Sequence, residues 1–123
     1  MLSVKNLDLY YGDAQALADV SLEVGQGEIV AIVGANGAGK SSLIRAIAGI
    51  ERARNGTVFF QDKNITGSES HEICNLGIGQ VAEGRQVFPS LSVRDNLELG
   101  AMLPRARAKM RSTVDEVYSL FPR

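Results

Sequence analysis

Ile29-Val30-Ala31-Ile32-Val33-Gly34-Ala35-Asn36-Gly37-Ala38-Gly39-Lys40-Ser41 is the stretch on which the fold turns. Its first five residues are apolar and mostly β-branched, without polar alternation, which predicts a strand covered on both faces at the centre of a sheet. The next eight match G-x-x-x-x-G-K-[ST] at every fixed position. From Lys40 to Ala48, Leu43, Ile44 and Ile47 fall at helical spacing, and Gly49 can end the helix in a left-handed conformation. Small residues let such a loop curl around phosphate oxygens with its N–H groups pointing inward, and the helix adds about half a positive charge at its start. Lys40 is then placed for the β and γ phosphates of a nucleotide, and the Ser41 hydroxyl for Mg²⁺. The competing reading, a glycine-rich turn with an exposed lysine, leaves the strand before the loop and the helix after it unexplained.

Upstream, Leu2 and Val4, then Leu7 and Leu9, are spaced for a strand, and Val20, Leu22 and Val24 follow a break at Gly12-Asp13. These predict antiparallel strands leading through the turn Gly25-Gln26-Gly27-Glu28 into the apolar run. Downstream, Arg52 to Gly56 reads as a surface turn, Thr57 to Phe60 as a short strand entering a turn at Asp62-Lys63, and His71 to Leu76 as a short helix closed by Gly77. Ile78 to Val81 is expected to return as a strand. Ser92 with Asp95 three residues on fits a capping box for a helix Val93 to Leu103 that Pro104 stops. Met110, Val114, Val117 and Phe121 mark one face of a last helix, expected to pack on the preceding one. The fold expected is α/β, a phosphate-loop core joined to an antiparallel β subdomain. It is expected to be incomplete at the C-terminal end, because 29–33 lacks the parallel neighbours of a doubly covered strand.

The 123 residues are 45% hydrophobic, enough for one small core, and a net charge of -1 leaves no basic excess for nucleic acid or anionic lipid. Cys74 stands alone, so no internal disulfide forms and no cysteine cluster for zinc exists. No apolar stretch approaches the roughly 20 residues of a membrane span, and residues 1–11 do not read as a secretory signal.

The same loop serves kinases, GTPases and transport ATPases, so its neighbours decide the class. The absence of an N-K-x-D run disfavours guanine. Tyr10 and Tyr11 lie upstream, where an adenine ring could stack, although simple packing or an exposed edge explains Tyr11 equally well on spacing alone. Val58-Phe59-Phe60-Gln61-Asp62 imitates an aspartate-bearing catalytic strand, but Gln61 breaks the pattern and no glutamate follows. Val114-Asp115-Glu116 has helical periodicity and reads as a solvated helix face. His71 reads as an exposed helix histidine and Cys74 as a small buried apolar group. A metal site from that pair lacks its other ligands.

Tyr11-Gly12, Ser21-Leu22-Glu23-Val24 leading to Gly27-Glu28-Ile29, Gly34 to Ser42, and Ala48-Gly49 together give a chain that resembles the ATP-binding cassette family over essentially its full length. The resemblance implies adenine stacking on Tyr11 and a nucleotide site formed by Tyr11, Gly34, Ala35, Asn36, Gly37, Ala38, Gly39, Lys40, Ser41 and Ser42, with ATP and Mg²⁺ as ligands. Residues 83–97, Glu83-Gly84-Arg85 through Phe88-Pro89-Ser90-Leu91 to Asn96-Leu97, are similar to the family loop that begins with a metal-contacting glutamine and links the site to the membrane subunit. Here Glu83 stands in the glutamine's place, and Gln80 is three residues too early. The resemblance makes Ser41 and Glu83 the metal-facing pair, while an ordinary solvated charge is the alternative for Glu83.

Glu83-Gly84-Arg85 and the ending Val117 to Arg123 look like the subunit type of branched-chain amino-acid importers, with urea or other amide importers as the rival. The resemblance implies transmembrane permease partners, a second ATP-binding subunit across ATP, and a peripheral cytoplasmic position on the membrane without insertion. The family's signature segment, aspartate-glutamate strand and late histidine find no match, so residues 1–123 read as the N-terminal part of such a domain. No catalytic residue is expected within it.

Overall fold

The computed structural model describes residues 1–122 and divides into two compact units, Met1–Gln80 and Val81–Arg123. Arg123, the last residue of the importer-like ending, lies outside the described residues.

The first unit is built on a four-stranded antiparallel sheet in the order β2-β1-β3-β4, with β1 at Leu2–Tyr11, β2 at Ala14–Val24, β3 at Asn55–Phe60 and β4 at Lys63–Asn64. Tyr11 pairs with Ala14, so Gly12-Asp13 is a two-residue hairpin loop, and Gly12 has the positive φ of 61° that such loops favour. Along β1 the apolar positions switch from even (Leu2, Val4) to odd (Leu7, Leu9), which in a regular strand would turn half of them to the wrong face. The chain corrects this with a register shift between Val4 and Leu7, where Asn6 takes φ 52°. Asp19 of β2 takes φ 49°, and the irregularity is fastened by Asn6 Nδ2 donating to Asp19 Oδ1 at 2.7 Å and Asn6 N donating to Ser21 Oγ at 2.9 Å. Asn and Asp tolerate this left-handed region better than other side chains, because their short polar groups bond locally. Val4, Leu7 and Leu9 consequently all lie at 1% exposure or less.

On that face sits α1, Lys40–Ile47, burying Leu43 and Ile47 against Leu17, Val58 and Phe60. Ile65 and Ile73, the latter from α2 at Ser70–Leu76, complete the core. Gly49 follows α1 at φ 81° and Gly77 closes α2 at φ 114°, as the sequence predicts. Gln61 and Asp62 form a turn between β3 and β4, both at positive φ, so the aspartate-bearing decoy is a strand running into a hairpin. His71 is exposed as expected, but Cys74 is exposed too, and the expectation that it is buried is wrong. Cys74 directly follows the buried Ile73 in α2, and one residue is about 100° of helix rotation, which turns its side chain off the core face.

The expected central strand does not form. Residues 29–33 belong to no strand, and Ile29 and Val33 are 97% and 89% exposed. A parallel strand gains its hydrogen bonds and apolar cover from neighbours on both sides, and among the described residues none lies beside this run. The same reason removes the expected strand Ile78 to Val81, whose Val81 is fully exposed. The antiparallel sheet forms because its pairings, the hairpins β1–β2 and β3–β4 and the longer-range β1–β3, all lie within the first unit.

In the second unit α3 spans Val93–Gly100, α4 Pro104–Arg107 and α5 Met110–Leu120. Ser92 Oγ accepts from Asp95 N at 3.0 Å, which confirms the predicted cap. Pro104 does not stop α3. That helix ends four residues earlier at the poor helix former Gly100, and Pro104 instead opens α4, where its missing N–H costs nothing. α3 and α5 face each other, as expected, across an open cavity of about 390 Å³ that includes Leu97, Met110, Val114 and Val117 in its lining. Val114 is the one described residue of α5 that is buried.

Candidate functional site

The loop from Gly34 to Gly39 is held by few bonds of its own. Ala38 N donates to Ala35 O at 3.1 Å, closing a turn whose third residue, Gly37, has φ 84°, a type II pattern that calls for glycine. Gly39 then takes φ 99° immediately before α1, and Leu43 N donates to its carbonyl at 2.9 Å to begin the helix. Gly39 answers a second demand: a methyl group there would lie 2.6 Å from the Ala16 carbonyl oxygen and 2.9 Å from Leu17 Cδ2. The start of α1 is seated directly on the backbone of β2, and only hydrogen fits between them. The glycine that frees the loop for phosphate therefore also fixes the loop to the sheet.

Lys40 folds its ammonium back over the loop. Nζ donates to Gly34 O and, at 2.8 Å, to Ala35 O. The charge is thus gathered into the concave side of the loop, beside the first-turn N–H groups of α1, which have no partner within the helix. No side chain caps α1 and no acidic residue lies in its first turn, so nothing in the helix itself neutralises that positive end. An anion with several oxygens complements this arrangement. Ser41 is exposed in the same turn.

Tyr11 ends β1 at 41% exposure, and its hydroxyl lies 3.1 Å from Ser42 Oγ. The structure therefore brings Tyr11, Lys40 and Ser42, along with the glycines between, onto one side of the first unit. Tyr10 is a different case, since the Arg54 guanidinium lies 3.8 Å from its ring centroid and covers one face. Tyr11, not Tyr10, is the aromatic tied to the loop.

Glu83 belongs to the second unit, exposed in a bend where Gly84 and Arg85 have φ 80° and 50°. Beyond it, residues 88–92 are organised by Asn96, a residue that the sequence reading quoted without assigning it a task. Asn96 Nδ2 donates to Phe88 O at 3.1 Å and Ser92 O at 2.9 Å, while its Oδ1 accepts from Phe88 N at 2.9 Å. A polar residue on the first turn of a helix behind a proline-bearing loop was the only available signal. Among the described residues no cluster of three or more His, Cys, Asp or Glu side chains is disposed to hold a metal ion, and no helix is long and apolar enough to cross a membrane.

The ABC transporter family profile matches residues 17–122. Over all 123 residues the chain is 42% identical to the high-affinity branched-chain amino acid transport ATP-binding protein BraG of Pseudomonas aeruginosa, covering 52% of that protein. Among solved structures it is similar to MJ1267, an ATP-binding cassette of an ABC transporter, with a TM-score of 0.76 and 36% identity over 85% of this chain and 41% of that one. It is also similar to the ATP-binding cassette MJ0796 in a dimeric post-hydrolysis state bound to ADP and Pi, with a TM-score of 0.71 and 26% identity over 91% of this chain and 55% of that one. The chain thus spans about half the length of the relatives it matches.

Proposed function

The chain belongs to the ABC transporter family, and from that membership we propose that it binds Mg·ATP through Gly34 to Ser42, with the adenine stacked on Tyr11. The observation that carries this reading is the Lys40 ammonium drawn over the Gly34 and Ala35 carbonyls at the uncapped start of α1. Nucleotide phosphates would take over the lysine's bonds and the free first-turn N–H groups together.

The donor set suits Mg²⁺. This ion keeps most of its waters and takes one or two protein oxygens beside substrate phosphates, so the single exposed hydroxyl of Ser41 serves it without a carboxylate cage. Glu83 is the second proposed metal-facing residue, on the strength of its place in the family loop. Mg²⁺ supplies charge neutralisation at the phosphates, while the chain's own part is to bind and orient them. Orientation of an attacking water requires a base, and none of the residues assigned to the site is placed as one. The chain of 123 residues is accordingly a holder of nucleotide without turnover.

In the complete protein we assign this segment to the ATPase subunit of an importer, working with transmembrane permease subunits and a second ATP-binding subunit on the cytoplasmic face of the membrane. Branched-chain amino acids are the favoured solutes. The likeness to BraG and the Glu83-Gly84-Arg85 stretch support that choice over urea or other amides. The test is ATP hydrolysis by the complete importer in proteoliposomes, with leucine or urea supplied on its binding protein. Stimulation by leucine supports the reading, stimulation by urea alone replaces the solute, and no Lys40-dependent hydrolysis under either condition rejects the ATPase assignment.

A further inference from the structure

We propose that the Tyr11 hydroxyl is a positioning latch, which uses its bond to Ser42 to hold the aromatic platform in register with the phosphate loop. The inference rests on the nucleotide-binding reading above and adds a role that stacking alone does not require. A stacking ring needs only its π face, and phenylalanine or tryptophan supplies one as well. In this chain the ring carries a hydroxyl 3.1 Å from Ser42 Oγ, 31 residues away in sequence and on the first turn of α1.

Tyr11 is the last residue of β1, paired to Ala14 at the mouth of a two-residue hairpin loop, and it is 41% exposed. Among the described residues no other hydrogen bond or ring contact ties the Tyr11 ring down, whereas the neighbouring Tyr10 is covered by Arg54. The backbone around Ser42 is fixed independently, because Gly39 seats the start of α1 on Ala16 of β2. The bond therefore runs from a rigid helix to an otherwise loose ring.

A serine hydroxyl has one proton and two acceptor lone pairs. With Tyr11 donating, Ser42 Oγ accepts that bond and keeps its own proton for a phosphate oxygen, so the latch survives nucleotide binding. The ordering of the ring is then completed before the base arrives, and the base meets a platform already set at the loop's distance.

The test is calorimetric titration of the 123-residue chain with Mg·ATP and, separately, with Mg·tripolyphosphate, which has the phosphates and no base. Four proteins are compared at matched far-UV circular dichroism: wild type, Tyr11→Phe, Ser42→Ala and the double variant. The latch predicts that Tyr11→Phe weakens Mg·ATP by about two- to tenfold, the worth of one neutral hydrogen bond. It predicts less than a twofold change for Mg·tripolyphosphate, and no further loss of Mg·ATP affinity when Tyr11→Phe is added to Ser42→Ala. An equal loss in both backgrounds, an equal loss for both ligands, or unchanged or tighter Mg·ATP binding by Tyr11→Phe overturns the latch and leaves the nucleotide site standing. Absence of Mg·ATP binding by the wild type overturns the site and the latch together.

Discussion

Replacing Gly39 by alanine separates the two demands made on that residue. The backbone there is at φ 99°, where a side chain costs about 1–2 kcal/mol. The added methyl would also stand 2.6 Å from the Ala16 carbonyl oxygen and 2.9 Å from Leu17 Cδ2. The first obstacle is the backbone of β2 at the register shift between Gln15 and Leu17, both of which are paired with β1, so it has little room to move, and overpacking of this kind costs about 1–3 kcal/mol. The two together give about 2–5 kcal/mol. Gly37 is the internal control, since it has φ 84° but nothing within 4 Å of the position a methyl would take. Gly37→Ala should therefore show the conformational cost alone, about 1–2 kcal/mol. Urea unfolding followed by circular dichroism measures both, with slopes compared to confirm that the unfolded states match. The reasoning is refuted if Gly39→Ala is no more destabilising than Gly37→Ala, because the seating of α1 on β2 would then carry no energy.

Other parts of the structure make their own predictions. Leu43→Ala, which empties a side chain that is 4% exposed between α1 and the sheet, should cost about 2–5 kcal/mol in the same unfolding assay. Ile29→Lys should change the stability of this chain by less than about 0.5 kcal/mol, because the side chain is 97% exposed, and a loss of several kcal/mol would show that 29–33 is buried after all. Asn96→Ala removes four bonds to residues 88–92 and should raise amide hydrogen exchange at Phe88 by about tenfold while leaving the first unit unchanged. Phosphate release from Mg·ATP by the 123-residue chain should not exceed that of its Lys40→Ala variant, and Lys40-dependent turnover would require a base that has gone unassigned.

Local signals in the sequence were the ones that held. The hairpin at Gly12-Asp13, the cap at Ser92, the turn after Phe60 and the helix after Lys40 each depend on a few adjacent residues, and each is found. The parity switch between Val4 and Leu7 already contained the register shift that Asn6 makes, although only the pairing with Asp19 and Ser21 shows how it is fastened. Residues 29–33 misled because a run of β-branched side chains states a preference for burial, whereas a parallel strand also needs partners distant in sequence. Pro104 misled because proline ends helices and begins them with the same fixed φ.

The site divides along the same line. Residues Gly34 to Ser41 were legible as a loop, since their chemistry lies in their own order. The second role of Gly39 and the bond from Tyr11 to Ser42 were not, because both join segments that meet only in the folded sheet. Spacing left Tyr11 open between stacking and packing, and the hydrogen bond to α1 is what ties it to the loop. Asn96 likewise takes its meaning from carbonyls that the chain brings back to it.

The central claim is that Lys40 and the loop it covers receive the phosphates of a nucleotide. Calorimetric titration of the folded 123-residue chain with Mg·ATP, beside Lys40→Ala at matched circular dichroism, tests it most directly. The account predicts saturable one-to-one binding by the wild type and at least a tenfold loss in the variant, as befits a charge-assisted contact of about 1.5–3 kcal/mol. Equal affinity in the two proteins, or no saturable binding by well-folded wild type, would contradict it.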